Sequence, residues 1–345
     1  MKTIKLKTGK EIKSKIIVSK DINLAKAIKD MHPDKYLLIT DKNIYKIFKD
    51  KIKKFDILLL NSERKKDLEE SMIIINHLIK NNFSRKSLLI AFGGGKISDI
   101  TGFTASVYMR GIRWIDIPTT ALSQIDASVG GKTAVDYKGI KNIIGSFYFP
   151  ELTIIDPIYT QTQNDFNFRG AIGELIKYLI IMPKEKSKKL ENLILKLYNR
   201  DIDAIEEAIN ICVSFKSDIV KKDPFDEKGI REILNLGHTP AHAIEEINRI
   251  PHGYAVWYGL YYIAKLSEKL RILKNKNIIN LFIEQYKLEE DLIENKKPEK
   301  FLDLIEKDKK RKGLKNYFLL IEDFNRTKPL YNIDEKIIIK TYMDL

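Results

Sequence analysis

Short apolar runs alternate with stretches of helical periodicity through the first half of the chain. Residues 1–20 have the pattern of short β segments, and five further apolar runs predict buried strands at Lys35–Thr40, Phe55–Leu60, Ser87–Phe92, Ile115–Thr120 and Leu152–Asp156. The intervening patterns predict helices at Asp21–Met31, Asn43–Ile52 and Asp67–Asn81. Strands that alternate with helices are typical of a parallel, doubly wound sheet, so we expect an α/β domain here.

Long helical patterns take over after Pro150. They predict helices at Phe168–Met182, Lys188–Asn199, Ile202–Lys222, His238–Ile247 and Tyr254–Leu270. Tyr317–Ile321 has the pattern of a strand, and we expect it to be a lone strand. A chain of 345 residues is long for one compact domain. We therefore predict two domains, an α/β domain at 1–160 and a helical domain at 161–345.

The composition argues against several classes of protein. Hydrophobic residues make up 44% of the chain, enough for a sizeable core, and no apolar run reaches the ~18 residues of a membrane helix. The 61 Lys and Arg exceed the 47 Asp and Glu but are scattered, which favours an anionic small molecule over nucleic acid. The single cysteine, Cys212, and the absence of a signal-peptide pattern predict a cytoplasmic protein.

Two glycine-rich turns follow predicted strands. Ser87–Phe92 runs into the three glycines Gly93–Gly95, and a helical pattern follows. Bare glycine backbone lets an anion approach, and the first turn of a helix presents N–H groups, so this arrangement suits a phosphate group. Ile115–Thr120 ends in two threonine hydroxyls, and a second glycine–lysine turn follows at Asp126–Thr133. Turns that converge at strand ends predict a site for an extended, phosphate-bearing ligand.

Three of the five histidines, His238, His242 and His252, fall within fifteen residues. A carboxylate with two histidines and an open position describes a catalytic zinc site, and the spacing is compatible with any two of the three as ligands. Thr239-Pro240 has the pattern of a helix start, which predicts His238 in the preceding loop and His242 on the helix. This favours His238 with His252 as ligands and leaves His242 for proton transfer or anion contact.

Further polar residues lie close to these histidines or on a helix ahead of them. Glu227, Arg231 and Asn235 come just before the histidine cluster. Glu174 and Lys177 are three residues apart on the first predicted helix of the second half, so they share one face. Taken alone, such a pair predicts an exposed ion pair, which contributes little to stability.

Taken together, the motifs resemble those of the 3-dehydroquinate synthase family. The resemblance covers nearly the whole chain and rests, in order, on GGGKISDITGF, YMRG, IPTT, DASVGGKTAV, KNIIGSFY, GELIKY, RxxLNxGHTxxHAIE and HG. It implies a Rossmann-like NAD-binding domain, an all-α metal-binding domain and a homodimer. It also implies conversion of 3-deoxy-D-arabino-heptulosonate 7-phosphate to 3-dehydroquinate and phosphate by transient oxidation with NAD, phosphate elimination, re-reduction and aldol closure.

The resemblance implies a role for each matching residue. The ligands of zinc, or of cobalt in its place, are Glu174, His238 and His252. NAD is contacted by Glu63, Lys66, Gly95, Lys96, Ile97, Ser98, Asp99, Thr119, Thr120, Lys132, Lys141 and Thr162. The anionic sugar phosphate is held by Asp126, Lys132, Asn142, Lys177, Lys216, Arg231, Asn235, His242 and, across the dimer interface, Arg110. The catalytic residues are Lys132, Lys177, Glu227, Arg231, Asn235 and His242.

The chain departs from the usual family pattern beside the expected ligands. Gly173 stands where alanine is usual, Pro240 where phenylalanine is common, and Tyr254 where glutamate is common. Two alternatives share the same plan: other sugar phosphate cyclases, such as 2-deoxy-scyllo-inosose synthase, and iron-dependent alcohol dehydrogenases. The DASVGGKTAV turn favours the first assignment, as do Lys216 and Arg231, which suit a substrate with a carboxylate.

Overall fold

The computed structural model describes residues 12–288, 291–310 and 316–345. The chain forms two compact units, one from residues up to Thr119 with Gly130–Asp156, the other from Thr120–Val129 with Pro157–Leu345. The units separate after Asp156, and the boundary near residue 160 stays a prediction for independently folding domains. The β segments predicted within residues 1–11 lie outside the described residues.

A six-stranded parallel sheet organises the first unit. The strands of this unit are β1 (Lys15–Val18), β2 (Tyr36–Asp41), β3 (Ile57–Leu60), β4 (Leu88–Gly93), β5 (Arg113–Pro118), β6 (Lys132–Tyr137), β7 (Ile140–Phe147) and β8 (Leu152–Ile155). The sheet order is β1-β8-β5-β4-β2-β3, with every neighbouring pair parallel, which confirms the predicted α/β fold. Strands β6 and β7 pair as a separate antiparallel hairpin that the sequence pattern did not predict.

Aspartates start two of the helices in this unit. The helices are α1 (Leu24–Lys29), α2 (Lys42–Ile52), α3 (Leu68–Lys80) and α4 (Gly95–Val107). Asp41 and Asp67 accept hydrogen bonds from first-turn N–H groups of α2 and α3, as helix caps do. Strand β4 is buried at every residue, and its Leu89 and Ala91 share one apolar cluster with α3 and α4. Burial on both faces is why a continuous apolar run predicted this strand.

Helices dominate the second unit, in agreement with the prediction. They are α5 (Asp165–Gly170), α6 (Ile172–Ile181), α7 (Lys184–Tyr198), α8 (Ile202–Lys222), α9 (His238–Asn248), α10 (His252–Lys269), α11 (Asn277–Asn280), α12 (Pro298–Lys310) and α13 (Glu335–Met343). The unit also contains an antiparallel hairpin of β9 (Tyr317–Asp323) and β10 (Arg326–Tyr331). The prediction of a lone strand at Tyr317–Ile321 is therefore wrong, because β10 pairs with it.

Two helix boundaries differ from the sequence pattern. The predicted helix at Phe168–Met182 is divided into α5 and α6 around Ala171. His238 is the first residue of α9 rather than part of the preceding loop, because Gly237 takes a left-handed conformation (φ 78°) as the N-cap. Helix α10 is buried around most of its circumference, and no helix in the described part of the chain could span a membrane.

Candidate active site

Three helices of the second unit bring one carboxylate and two imidazoles together. Glu174 lies in the first turn of α6, His238 begins α9 and His252 begins α10. One ligand atom from each residue lies within 4.8 Å of the other two. Glu174 Oε1 is 3.5 Å from His238 Nε2 and 3.7 Å from His252 Nε2. The fold thus assembles the histidine pair that the sequence favoured, and their role as metal ligands is taken up below as a proposal.

The other ring nitrogen of each histidine has its own partner. His238 Nδ1 lies 3.2 Å from the Leu236 carbonyl oxygen, and His252 Nδ1 lies 3.1 Å from Glu245 Oε2. With a metal bound, each Nδ1 would keep its proton for these oxygens, and each Nε2 would offer a lone pair to the ion instead of a proton to Glu174. Carbonyl and carboxylate oxygens commonly orient metal-bound histidines in this way. The arrangement therefore fits a divalent metal with one oxygen and two nitrogen ligands.

Glu174 is buried and paired with Lys177, at 2.5 Å between Oε2 and Nζ. The expectation of an exposed ion pair is wrong, because α6 is buried at this position. Burial opposes the charged form of Glu174, but Lys177 and the two histidines outweigh it and hold the pKa of the carboxyl well below its usual range. Glu174 is therefore an ionised carboxylate at neutral pH.

Asp126 connects two buried lysines. Lys177 Nζ lies 3.3 Å from Asp126 Oδ1, and Lys216 Nζ lies 2.9 Å from Oδ2 and donates to the Asp126 carbonyl oxygen at 2.8 Å. The Tyr178 hydroxyl donates to Oδ1 at 2.5 Å. Burial opposes ionisation of Asp126, but the two lysines outweigh it and lower its pKa to about 2. Tyr178 was not among the predicted site residues, because no local pattern distinguishes a hydrogen-bonding tyrosine from an apolar one in this helix.

The charges of this cluster decide what it can bind. Two carboxylates, Glu174 and Asp126, offset two ammonium groups, Lys177 and Lys216. A divalent cation bound beside Glu174 would leave the cluster with excess positive charge in a buried setting. Such a site favours an anionic ligand.

His242 lies beside the two proposed ligands. Its ring centroid is 5.8 Å from that of His238 and 6.0 Å from that of His252. His242 is four residues after His238 on α9, so the two share one face of the helix. The Nε2 atoms of His238 and His252 face Glu174. The role of His242 in proton transfer or anion contact stays a prediction.

The loop before the histidine cluster is organised by Asp223. Its carboxylate accepts hydrogen bonds from the N–H groups of Glu227, Lys228 and Ile230 at 2.9–3.2 Å. Burial opposes the charged form of Asp223, but these backbone donors outweigh it and lower its pKa. The loop leads to Arg231, which is buried and donates from Nη1 to the Pro224 carbonyl oxygen at 2.9 Å.

Glu227 and Asn235 line a cavity of about 440 Å³ in the second unit. Glu232 and Tyr317 lie in the same wall, with Gly237 between the loop and α9. Both predicted catalytic residues therefore face space that a small molecule can enter. Tyr317 was predicted as a strand residue, and no sequence signal linked it to this cavity.

In the first unit, the glycine turn ends strand β4 and begins α4. Gly94 is the N-cap of α4, so no side-chain hydrogen bond caps the first N–H groups of this helix. Thr119 N–H donates to the Gly93 carbonyl oxygen at 2.9 Å and ties the end of β5 to the turn. Gly95, Lys96 and Ile97 form the first turn of α4, as expected for a phosphate-binding helix start.

Charged residues from three segments meet beside α4. Lys66 Nζ pairs with Asp99 Oδ2 at 2.6 Å and also donates to Asn142 Oδ1. Lys96 Nζ donates to the carbonyl oxygens of Asn61 and Arg64 at 2.8 and 2.5 Å. The predicted NAD residues Lys66 and Asp99 thus lie together with Asn142 of β7, which was predicted to bind the substrate.

Ser98 connects α4 to an acidic residue that the sequence analysis did not select. Its hydroxyl donates to Asp116 Oδ1 at 2.6 Å, on strand β5. Burial raises the pKa of Asp116 to about 7, with Ser98 lowering it and Asp99 raising it. The sequence signal for this residue is an aspartate inside the apolar run RWIDIP. A carboxylate on a buried strand needs a hydrogen-bond partner, so its position indicates a buried polar contact.

The remaining predicted residues are distributed over both units. In the first, Lys132 begins β6 with Nζ 5.9 Å from the Phe147 ring centroid, Lys141 lies on β7, and Arg110 has a left-handed φ of 62°. Glu63 N–H donates to Asn61 Oδ1 at 3.0 Å.

Two predicted NAD contacts, Thr120 and Thr162, belong to the second unit. The Thr120 hydroxyl lies 2.9 Å from Ser123 Oγ, and the Thr162 hydroxyl donates to the Tyr159 carbonyl oxygen at 3.0 Å. Both hydroxyls therefore stabilise local turns in this unit, and their contact with NAD stays a prediction.

Two family models match the chain in succession. The 3-dehydroquinate synthase N-terminal model matches residues 56–170, and the 3-dehydroquinate synthase C-terminal model matches residues 171–311. The curated 3-dehydroquinate synthase of Clostridium acetobutylicum is 36% identical over 340 residues, which cover 94% of each chain.

Solved structures at lower identity share the fold. One is ValA, the 2-epi-5-epi-valiolone synthase of Streptomyces hygroscopicus with NAD+ and Zn2+ bound, with a TM-score of 0.85, 19% identity and coverage of 99% and 98%. Another is 2-deoxy-scyllo-inosose synthase complexed with carbaglucose-6-phosphate, NAD+ and Co2+, with a TM-score of 0.80, 19% identity and coverage of 95% and 96%. At such identities the likeness shows the fold alone.

Proposed function

This chain belongs to the 3-dehydroquinate synthase family, and we propose that it converts 3-deoxy-D-arabino-heptulosonate 7-phosphate to 3-dehydroquinate and phosphate. It acts as a carbon–oxygen lyase that depends on NAD and on zinc or cobalt. The observation that carries the proposal is the buried cluster in which Glu174, His238 and His252 converge beside paired lysines. This cluster offers a metal site and cations to one anionic substrate.

The donor set fits the metal in charge and orientation. Glu174 is ionised, and both Nε2 atoms face it. A divalent ion held by these residues would lower the pKa of a substrate hydroxyl and favour loss of hydride from that carbon. Lys177 restrains the Glu174 carboxylate, while Glu245 restrains the His252 ring.

The glycine turn of the first unit fits the pyrophosphate of NAD. No side-chain hydrogen bond caps the start of helix α4, and Lys66 and Lys96 add positive charge beside it. Bound NAD would take a hydride from a substrate alcohol and return it within the same turnover, so no reduced cofactor accumulates. Asp99 holds Lys66 in place through the 2.6 Å ion pair.

The lysines of the second unit have different tasks. Burial opposes the charge of Lys177, but Asp126 and Glu174 outweigh it and raise its pKa, so this lysine is a permanent cation. Burial lowers the pKa of Lys216, with Asp126 opposing and Lys177 adding to the effect, so Lys216 gives up its proton more readily. We assign Lys177 and Arg231 to anion binding, and Lys216 with His242 to the leaving phosphate.

The remaining predictions on partners and location form part of this proposal. We expect a homodimer in which Arg110 contacts the substrate of the partner subunit. We also expect a cytoplasmic enzyme that uses a small anionic substrate and binds neither nucleic acid nor a membrane. Sedimentation tests the homodimer. Retention on a polyanion column, with duplex DNA as competitor, tests whether the protein binds nucleic acid.

One assay tests the function. Purified protein is incubated with 3-deoxy-D-arabino-heptulosonate 7-phosphate, catalytic NAD and zinc, and phosphate, dehydroquinate and NADH are followed with and without a chelator. We expect equal amounts of phosphate and dehydroquinate, no net NADH, and loss of turnover on chelation. The Glu174→Gln variant, which keeps the size of the side chain, is the matched control without metal-binding charge.

Other outcomes point elsewhere. Protein that binds NAD and zinc but does not turn over this substrate would act on a different sugar phosphate. Net NADH from a simple polyol would identify a dehydrogenase. Full activity in the presence of a chelator would contradict the metal site.

A further inference from the structure

Each proposed metal ligand is bonded to a glycine that packs against a neighbouring helix. The three pairs are Gly173 with Glu174, Gly237 with His238, and Gly253 with His252. A Cβ atom at any of these glycines would lie less than 3.0 Å from an atom of the facing helix. At Gly173 and Gly253 the facing atoms are backbone, which cannot move aside, and at Gly237 the left-handed φ of 78° also favours glycine.

The first contact joins α6 to α10. A Cβ at Gly173 would lie 3.0 Å from the Gly253 carbonyl carbon and from Trp257 N, and closer still to the Gly253 oxygen. A Cβ at Gly253 would in turn lie 2.6 Å from the Gly170 carbonyl carbon. Backbone therefore meets backbone where Glu174 and His252 project. In this chain the contact leaves no room for the alanine that is usual at this position.

The second contact joins α9 to α10. A Cβ at Gly237 would lie 3.0 Å from Leu260 N, and one at Gly259 would lie 2.9 Å from Ala241 N. Helix α10 is thus held at backbone distance from both helices that carry the other ligands. At Gly237 the Leu260 side chain is closer still, at 2.8 Å from Cδ2.

We propose that Gly173 and Gly253 are positioning residues that set the separation of the metal ligands. Two atoms bound to one tetrahedral zinc at about 2.0 Å are about 3.3 Å apart. Glu174 Oε1 already lies 3.5 and 3.7 Å from the two Nε2 atoms. The backbone contacts therefore hold the ligands near their metal-bound spacing, and a shift of α10 by about one bond length would take His252 out of reach.

Tyr254 closes the same contact from the outside. Its hydroxyl donates to the Phe166 carbonyl oxygen at 2.9 Å, and its ring stacks on Phe166 at 4.7 Å between centroids. The tyrosine follows Gly253 directly and so anchors the first turn of α10 against α5. Through this anchor it restrains the helix start that carries His252, which makes it a second positioning residue.

This inference rests on the proposed metal site, and its test measures zinc rather than turnover. Zinc affinity of the full chain is determined by competition with a chromophoric chelator, and thermal unfolding of the metal-free protein is followed in parallel. We expect Gly173→Ala to weaken zinc binding by about 10-fold or more, as mutations of residues that orient metal ligands do. Ser214→Ala, at an exposed position of α8, is the control for a change to alanine within a helix.

The opposite result is expected if Gly173 has no positioning role. Alanine is the better helix former, so Gly173→Ala would then raise the unfolding temperature and leave zinc affinity unchanged. Should Gly173→Ala fail to fold, Tyr254→Phe decides, because it removes one hydroxyl without adding volume. We expect it to weaken zinc binding several-fold, and wild-type affinity in this variant would overturn the inference.

The two proposals fail in different ways. Wild-type protein that binds no zinc, with His252→Ala equally inert, would refute the metal site itself. Tight zinc binding by the wild type, lost in His252→Ala but kept in Gly173→Ala and Tyr254→Phe, would refute the positioning role alone.

Discussion

Asp116 on β5 offers a quantitative test of the electrostatics of the first unit. Its side chain is 1% exposed, and the Ser98 hydroxyl donates to it at 2.6 Å. Burial raises its pKa to about 7, Ser98 opposes this rise, and Asp99 adds to it. The change to examine is Asp116→Asn, which removes the ionisable group and keeps an oxygen for the Ser98 hydrogen bond.

The magnitude follows from linkage between protonation and folding. A pKa that rises from 3.8 to about 7 corresponds to about 4 kcal/mol of the free energy of unfolding, at about 1.4 kcal/mol per unit. Because the folded protein binds this proton more tightly than the unfolded chain, the penalty is absent below about pH 4 and complete above about pH 7. The wild type should therefore lose stability over this range relative to Asp116→Asn.

Urea unfolding in a Trp257→Phe background provides the assay. It leaves Trp114, two residues from Asp116, as the single tryptophan, which reports on the first unit. We expect the protein with Asp116 and its Asp116→Asn variant to have similar midpoints near about pH 4, and the variant to have the higher midpoint near about pH 8. Parallel pH profiles for the two proteins would refute the raised pKa.

A control of opposite sign is available in the same unit. Hydrogen bonds from the Ser84 and Ser87 hydroxyls lower the pKa of Asp34, despite a small opposing effect of burial. Its contribution is present above the unfolded pKa and is lost as pH falls through the folded value. Asp34→Asn should therefore reduce stability at neutral pH, where Asp116→Asn increases it.

Three further predictions concern the binding sites. Glu174→Gln and His252→Ala should lose zinc while the circular dichroism spectrum stays native, because the ligands are lost but the helices are not; zinc retained by both would contradict the ligand set. Lys66→Ala should weaken NAD binding about 10-fold, measured by titration calorimetry, since charge beside the helix start is removed; unchanged affinity would remove Lys66 from the cofactor site. Asp126→Asn should destabilise the second unit by about 3–5 kcal/mol, measured by thermal unfolding, because it leaves two buried lysines without their shared carboxylate; a melting temperature near that of the wild type would show that the network is not strained by this loss.

Much of the first unit could be predicted from local patterns. β2, β4 and β5 appear as apolar runs because central parallel strands are buried on both faces. The aspartates that start α2 and α3 are visible as well, since capping is a local interaction. The β6–β7 hairpin was missed because most of its side chains are exposed or only partly buried, so no continuous apolar run marks it.

The sequence by itself determined which residues were available for chemistry: a glycine turn after a buried strand, three clustered histidines, and a glutamate and lysine three residues apart. Tertiary structure alone decided which of them meet. The choice of His238 and His252 depends on how α9 and α10 pack, and Glu174 is 64 residues from His238 along the chain. The burial of Lys177 and its pairing with Asp126 likewise depend on contacts between distant segments. Burial and long-range pairing are properties of the packed chain, so no local pattern contains them.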